Sequence, residues 1–302
     1  MNDKERLGTI FAITAAIISG FSIPLNKIFV VNLDPTVFTA VRSVIIGIAF
    51  FIIISYRSKF SYKSFKKVSW KYMVLIAIIG GSFAFLLFFN GLKLTTAGRG
   101  ALLQKTLPLY VTVLAFLFLK EKISRKYMLA LFLMFIGTLA IYFTQISITE
   151  LWSNPSLGDI LVISATFLWA VENIIARKAM IKGENNFMVS FSRMLFGGLI
   201  LFGFVILFGK LDLLLNMSTQ QITNILISTL ILFGYVLFWY WSIKMINVSK
   251  ASSFLLLSPA ISLLIGTLFL GEPIPLIQII GSMLILVGAY YLSNTKSESS
   301  YA

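Results

Sequence analysis

The 302-residue chain contains neither cysteine nor histidine. That excludes disulfides, thiolate nucleophiles, Ser-His and Cys-His pairs, and the usual zinc, haem and iron–sulfur ligation. Chemistry must come from carboxylates, amines, amides and hydroxyls. The sharpest of these is Glu172, about 14 residues inside an apolar run. An ionisable group at that depth belongs in a wet cavity or against a partner, so Glu172 is a candidate amine-binding or proton-carrying group. The plainer alternative is a buried ion pair with Arg42 or Arg193. Trp169 lies one turn before Glu172 on the same helical face, and Asn173 adjoins it. In the first apolar run, Ser19, Ser22 and Asn26 fall at i, i+3 and i+7 of one face. Two such stripes facing each other would line a central cavity.

Further cavity candidates are Phe83, Gln104, Tyr235 and Ser253. Arg42 and Arg193 read as structural cations, each held by carbonyls or a carboxylate. Pro108 and Pro259 each free a carbonyl within a membrane helix, and serve either as bending points for gating or as static shapers of packing. Lys105 is expected to point at solvent or snorkel outward. Glu121 and Glu272, at run ends, read as interfacial charges. The run Phe238-Trp239-Tyr240-Trp241 reads as an aromatic belt at the cytoplasmic interface, with a stacking surface or gate as the alternative. Gly80-Gly81 and Gly197-Gly198 suggest close helix contacts. No metal cluster, GxGxxG or P-loop is present, so no cofactor and no ATP-driven step within this chain is expected.

The elements that position these residues follow from composition. The chain is 58% hydrophobic and 12% charged, against roughly half and a quarter in a soluble domain. A soluble enzyme, an RNA-binding protein and a disordered tail are all excluded on that balance. Ten runs of membrane-spanning length can be drawn: 8–30, 36–56, 72–92, 97–119, 127–148, 158–180, 187–209, 221–243, 250–270 and 275–293. Weak period-2 alternation argues against a β-barrel. The fold class is therefore an all-α membrane protein. The first run carries Pro24, Asn26 and Lys27 and no small-residue cleavage site, so a retained span is expected rather than a signal peptide.

The formal charge of +14 sits in short loops between the runs, which points to topology and a lipid bilayer rather than nucleic acid. With ten spans, 18 of the 25 lysines and arginines fall on the side of the termini, six of them within 57–71. Both termini are therefore expected to be cytoplasmic.

The chain also matches itself at an offset of 151. Arg42 meets Arg193, Gly47 meets Gly198, Lys93 meets Lys244, Arg99 meets Lys250, Pro108 meets Pro259, Glu121 meets Glu272 and Gly137 meets Gly288. Residues 1–150 and 151–302 are thus read as two five-helix repeats. Five is odd, so the second repeat enters the membrane from the opposite side. Secondary transporters use such inverted repeats, with substrate near the midplane at the repeat interface. An intramembrane enzyme would need a nucleophile and a base within reach of each other, and Glu172 supplies only half of that.

Each repeat opens with a helix of polar and small middle (Ser19-Gly20-Phe21-Ser22; Trp169-Ala170-Val171-Glu172). An arginine helix follows (Arg42; Arg193), then a proline helix ending in glutamate (Pro108, Glu121; Pro259, Glu272) and a glycine helix (Gly137; Gly281, Gly288). This duplicated pattern, over about residues 7–293, resembles the drug/metabolite transporter superfamily, specifically the EamA-type ten-helix permeases. The resemblance implies a prokaryotic inner-membrane carrier, often an exporter, of amino acids or related small metabolites, working by alternating access. It leaves a coupled proton open, and a nucleotide-sugar or sugar-phosphate carrier as an alternative. A lipid-handling protein or an intramembrane enzyme is the reading from outside transport.

Overall fold

The computed structural model describes residues 3–29, 33–57, 68–144, 146, 156–270 and 273–297. With no water in hydrocarbon to satisfy the backbone, each apolar run closes its hydrogen bonds on itself as a helix. Among the described residues these are α1 (Asp3–Phe29), α2 (Pro35–Arg57), α3 (Trp70–Leu94), α4 (Gly98–Leu119), α5 (Arg125–Phe143), α6 (Leu157–Ile181), α7 (Asn186–Leu207), α8 (Thr219–Met245), α9 (Val248–Phe269) and α10 (Leu276–Ser293). Nine of these are long and apolar enough to cross a membrane, and α1, at 27 residues, is a tenth of membrane length. Several ends run beyond the apolar stretch. α8 starts at Thr219 because Ser218 and Gln221 form a reciprocal capping box in the polar flank.

The halves are interleaved. The first helix of each half packs against the third and fourth of the other: α1 against α8 and α9, α6 against α3 and α4. The second helices, α2 and α7, pair across the halves, and so do the fifth, α5 and α10. The α5–α10 contact is close because Gly137 and Gly281 face each other. A Cβ on Gly137 would stand 2.4 Å from the Gly281 carbonyl oxygen, so a side chain there forces the helices apart. Outward-facing Leu117, Phe132, Leu230 and Phe269 are exposed, as lipid-facing positions must be.

Four helices are irregular. Segments of π-helix occupy Ile79–Phe83 of α3 and Ser192–Phe196 of α7. Helix α4 breaks at a turn over 105–106, and α9 tightens to 3-10 geometry at Leu255–Leu257. The last two coincide at the repeat offset, and Pro108 and Pro259 follow them directly. Proline lacks the N–H that would continue the ladder, so both prolines act where the helix changes type.

An ion pair on each face ties a first helix of one half to a fourth helix of the other. On the face of the termini, Lys250 at the start of α9 reaches Glu5 of α1 at 3.1 Å and the Thr295 carbonyl at 2.5 Å. On the opposite face, Arg99 at the start of α4 pairs with Asp159 of α6, which also accepts the Thr95 hydroxyl at 2.6 Å.

Candidate functional site

Among the described residues, two of the polar groupings inside the bundle gather the candidate residues. The first surrounds Glu172, which is 1% exposed. One carboxylate oxygen accepts the Tyr240 hydroxyl of α8 at 2.5 Å, and the other lies 3.8 Å from Arg193 Nε of α7. The Arg193 guanidinium sits between the rings of Phe85 and Tyr240, at 5.7 and 5.9 Å. The neighbouring Asn173 accepts the Trp239 indole N–H at 3.0 Å, and the Trp169 indole donates to the Gly80 carbonyl at 3.2 Å. Tyr235 stacks on Trp239. Glycine is required at position 80, since a Cβ there would stand 2.2 Å from Glu172 Cγ. The π segments of α3 and α7 place Gly80 and Arg193 in this cluster. Glu172 and Arg193 face each other as opposite charges at 3.8 Å, with neither Glu172 Oε2 nor Arg193 Nε hydrogen-bonded, and the cluster joins α3, α6, α7 and α8.

The second grouping follows the seam between α4 and α9, the fourth helices of the two halves. At its outer end, on the face of the termini, Glu121 accepts the backbone N–H groups of Val248 and Ser249, at 2.9 and 3.2 Å, and the Ser249 hydroxyl. A carboxylate there caps the start of α9 and complements its dipole. Deeper, the Tyr127 hydroxyl bonds Thr112 at 2.6 Å and Ser253 at 2.9 Å. Deeper still, where both helices change type, Lys105 Nζ donates to Ser258 Oγ at 2.7 Å.

Several expectations are corrected by this arrangement. Phe83 lies outside both groupings: it is 45% exposed and meets Phe204 edge-on. Trp239 and Tyr240 are not an interfacial belt. Both are buried, each with a partner on α6, because Val236, Trp239, Tyr240 and Ile243 share the inward face of α8. Lys105 does not snorkel but is buried. Glu121 is a buried cap rather than a solvated charge.

The other candidates fall in different places. Trp169, Glu172, Asn173 and Tyr235 come together in the first grouping, and Ser253 joins the second. Ser19 and Ser22 are half-buried on α1, with the Ser22 hydroxyl donating to the Ser19 carbonyl. Gln104 is half-buried one residue before the α4 turn. Arg193 has the expected carboxylate, whereas Arg42 donates to the Ser228 hydroxyl at 2.6 Å and lies 4.0 Å over the Phe38 ring. Gly81 and Gly197 form a backbone contact, a Cβ on Gly197 standing 2.6 Å from Gly81 Cα. The Asn26 side chain and Glu272 lie outside the described residues. Among the described residues no group of three or more acidic side chains is arranged to hold a metal.

Sequence reasoning places Trp239 and Tyr240 first of all in an interfacial belt and Lys105 toward solvent, and does not single out Ser258. The spacing of Val236, Trp239, Tyr240 and Ile243 at i, i+3, i+4 and i+7 was the available signal for the first two.

Ten membrane-length helices in two interleaved halves, with polar groups gathered where the halves meet, define a multi-pass membrane transporter. The model of the EamA-like transporter family matches twice, over residues 6–143 and 156–294, and the chain belongs to that family. It is a transporter within the drug/metabolite transporter superfamily, not an enzyme, and it takes a small-molecule substrate across a bilayer. It is 29% identical over 296 residues to the "Uncharacterized transporter YyaM" of Bacillus subtilis (strain 168), covering 94% of this chain and 95% of that one. An "Uncharacterized transporter" of Methanothermobacter thermautotrophicus is 26% identical, covering 94% of this chain and 85% of the relative. A solved crystal structure at 16% identity shares the fold, with a TM-score of 0.76 over 94% of each chain.

Proposed function

We propose that the protein is a secondary transporter that exports an amino acid or a related small metabolite by alternating access, with its two halves exchanging an inward and an outward opening. One observation carries this reading. Equivalent ion pairs, Glu5–Lys250 and Asp159–Arg99, tie a first helix of one half to a fourth helix of the other on opposite faces. Releasing one while the other holds opens one face at a time, as inverted repeats require. The halves are residues 1–150 and 151–302. Both termini are taken as cytoplasmic in a prokaryotic plasma membrane, from the bias of basic residues to their side.

Glu172 already has Arg193 and Tyr240, which supports a packing role over ammonium capture. A nucleotide-sugar or sugar-phosphate carrier would need several cations converging on one point. Arg42 and Lys105 engage different hydroxyls, of Ser228 and Ser258, which favours the smaller substrate.

The test is counterflow in liposomes loaded with each of a panel of amino acids and small carboxylic acids. Saturable exchange of at least one is expected. Protein that inserts as a folded monodisperse species and exchanges none of them overturns the reading.

A further inference from the structure

We infer that Lys105 is an anion-binding group at the repeat interface, and that the ligand carries a carboxylate or phosphate held against Lys105 and Ser258. The inference builds on the transporter reading but concerns a site that can be tested without transport.

Lys105 is 6% exposed. Its ammonium has three N–H donors, and among the described residues one acceptor is found, the Ser258 hydroxyl at 2.7 Å. That hydroxyl spends its own hydrogen on the Leu255 carbonyl at 2.7 Å, so towards Lys105 it can only accept. Two donors are left without an acceptor among the described residues, and an ammonium in a low-dielectric interior is unfavourable without a counter-charge. The comparison within the same molecule is direct. Lys250, equally buried, has the Glu5 carboxylate and the carbonyls of Ser293 and Thr295. Arg193 faces Glu172 at 3.8 Å, and Arg42, which donates to a serine hydroxyl as Lys105 does, lies over the Phe38 ring. Lys105 has neither a carboxylate nor a facing ring among the described residues.

Its place is also particular. The turn at 105–106 interrupts α4 where the 3-10 segment Leu255–Leu257 interrupts α9, at matching positions of the two repeats. Helix α1 closes on the same point, since a Cβ on its Gly20 would stand 3.1 Å from the Ser258 carbonyl oxygen. Helices α4 and α9 therefore meet at the buried ammonium, between the two face latches, and α1 packs against the Ser258 backbone beside it. A ligand anion there would supply the missing charge while touching helices that move relative to each other.

The experiment follows the thermal unfolding of the purified full-length protein at constant ionic strength. Chloride is replaced in turn by acetate, succinate, L-glutamate or inorganic phosphate. A ligand that binds only the folded state raises the midpoint with concentration. At least one anion is expected to raise the wild-type midpoint saturably by a few degrees, with the effect lost in Lys105→Gln and partly kept in Lys105→Arg. The carboxylate and phosphate arms separate the two sources of negative charge. If no anion raises the wild-type midpoint more than that of Lys105→Gln, the inference is overturned. Should Lys105→Gln fail to fold, Ser258→Cys in this cysteine-free chain provides a second readout. The stabilising anion should slow its maleimide labelling several-fold, and unchanged labelling overturns the site. Anion binding without liposome exchange would sink the proposed export of amino acids and small carboxylic acids and leave this site standing.

Discussion

At the scale of single residues, the Glu172 carboxylate has protein partners of its own. Glu172 is placed against Arg193 and Tyr240 from two other helices, and each would be costly without the others. Removing one partner of a buried pair typically costs about 3–5 kcal/mol, because the survivor is left charged and unpaired. Glu172→Gln should therefore destabilise the protein by roughly that amount. Arg193→Gln in the same chain should restore part of it, with a coupling of about 1–3 kcal/mol in a double-mutant cycle of unfolding free energies. Additive effects would show that the pair contributes nothing. Gly80→Ala belongs to the same cluster. Its Cβ would overlap Glu172 Cγ, so a loss of at least about 1–3 kcal/mol is expected in the same assay.

Asp34, in the connection before α2, gives the pH-dependent term. Burial pushes its carboxyl up, but the Lys210 ammonium at 2.9 Å and the N–H groups of Val37 and Thr36 more than offset this, so it lies below the ordinary value. A carboxylate with a lowered folded pKa stabilises the protein above its unfolded pKa of about 3.9. That stabilisation disappears as pH falls through the folded value. The difference in unfolding midpoint between wild type and Asp34→Asn should be constant from neutral pH down to about 5 and shrink below it. A difference that grows on acidification would contradict the assignment.

At the scale of elements, the informative feature is the pairing of first and fourth helices across the halves. Asp159→Asn weakens the latch on the face away from the termini, and Glu5→Gln weakens the one on the face of the termini. Leu102 on α4 and Ser253 on α9 occupy equivalent buried positions, so cysteines introduced there report separately on the two faces. Asp159→Asn should speed labelling of Leu102→Cys and slow that of Ser253→Cys, and Glu5→Gln should do the reverse. If both variants speed both sites, the pairs stabilise the fold generally and do not alternate. The prolines fit the same picture. Pro108 and Pro259 follow the two places where a fourth helix changes type, which gives each latch a helix able to bend near its middle.

At the scale of the whole molecule, an even number of crossings brings both termini to one face, where Glu5 also accepts the backbone N–H of Ser297 at 2.7 Å. That face carries most of the basic residues. With the termini cytoplasmic, a membrane-impermeant thiol reagent should label Asn216→Cys in intact cells and Lys296→Cys only after permeabilisation. Both positions are exposed, so the reverse pattern would invert the molecule and exchange the faces assigned to the two latches.

The number of helices, their duplication and the interior location of Glu172 were legible in the chain itself. Each depends on local length, apolar periodicity or matched spacing along one polymer, and the bilayer makes those signals strict by forbidding unsatisfied backbone. Side-chain partnership was not legible. Glu172 meets a tyrosine 68 residues later and an arginine 21 later, and nothing along the chain distinguishes Arg193 from Arg42 as the one with the acid. Phe83 closes a π segment, whose extra residue shifts the face that plain helical periodicity predicts. Lys105 looked free to snorkel, but it is buried and bonded to Ser258 of α9. Which charges compensate one another is decided by how helices from two interleaved halves cross, and only the tertiary structure sets those crossings.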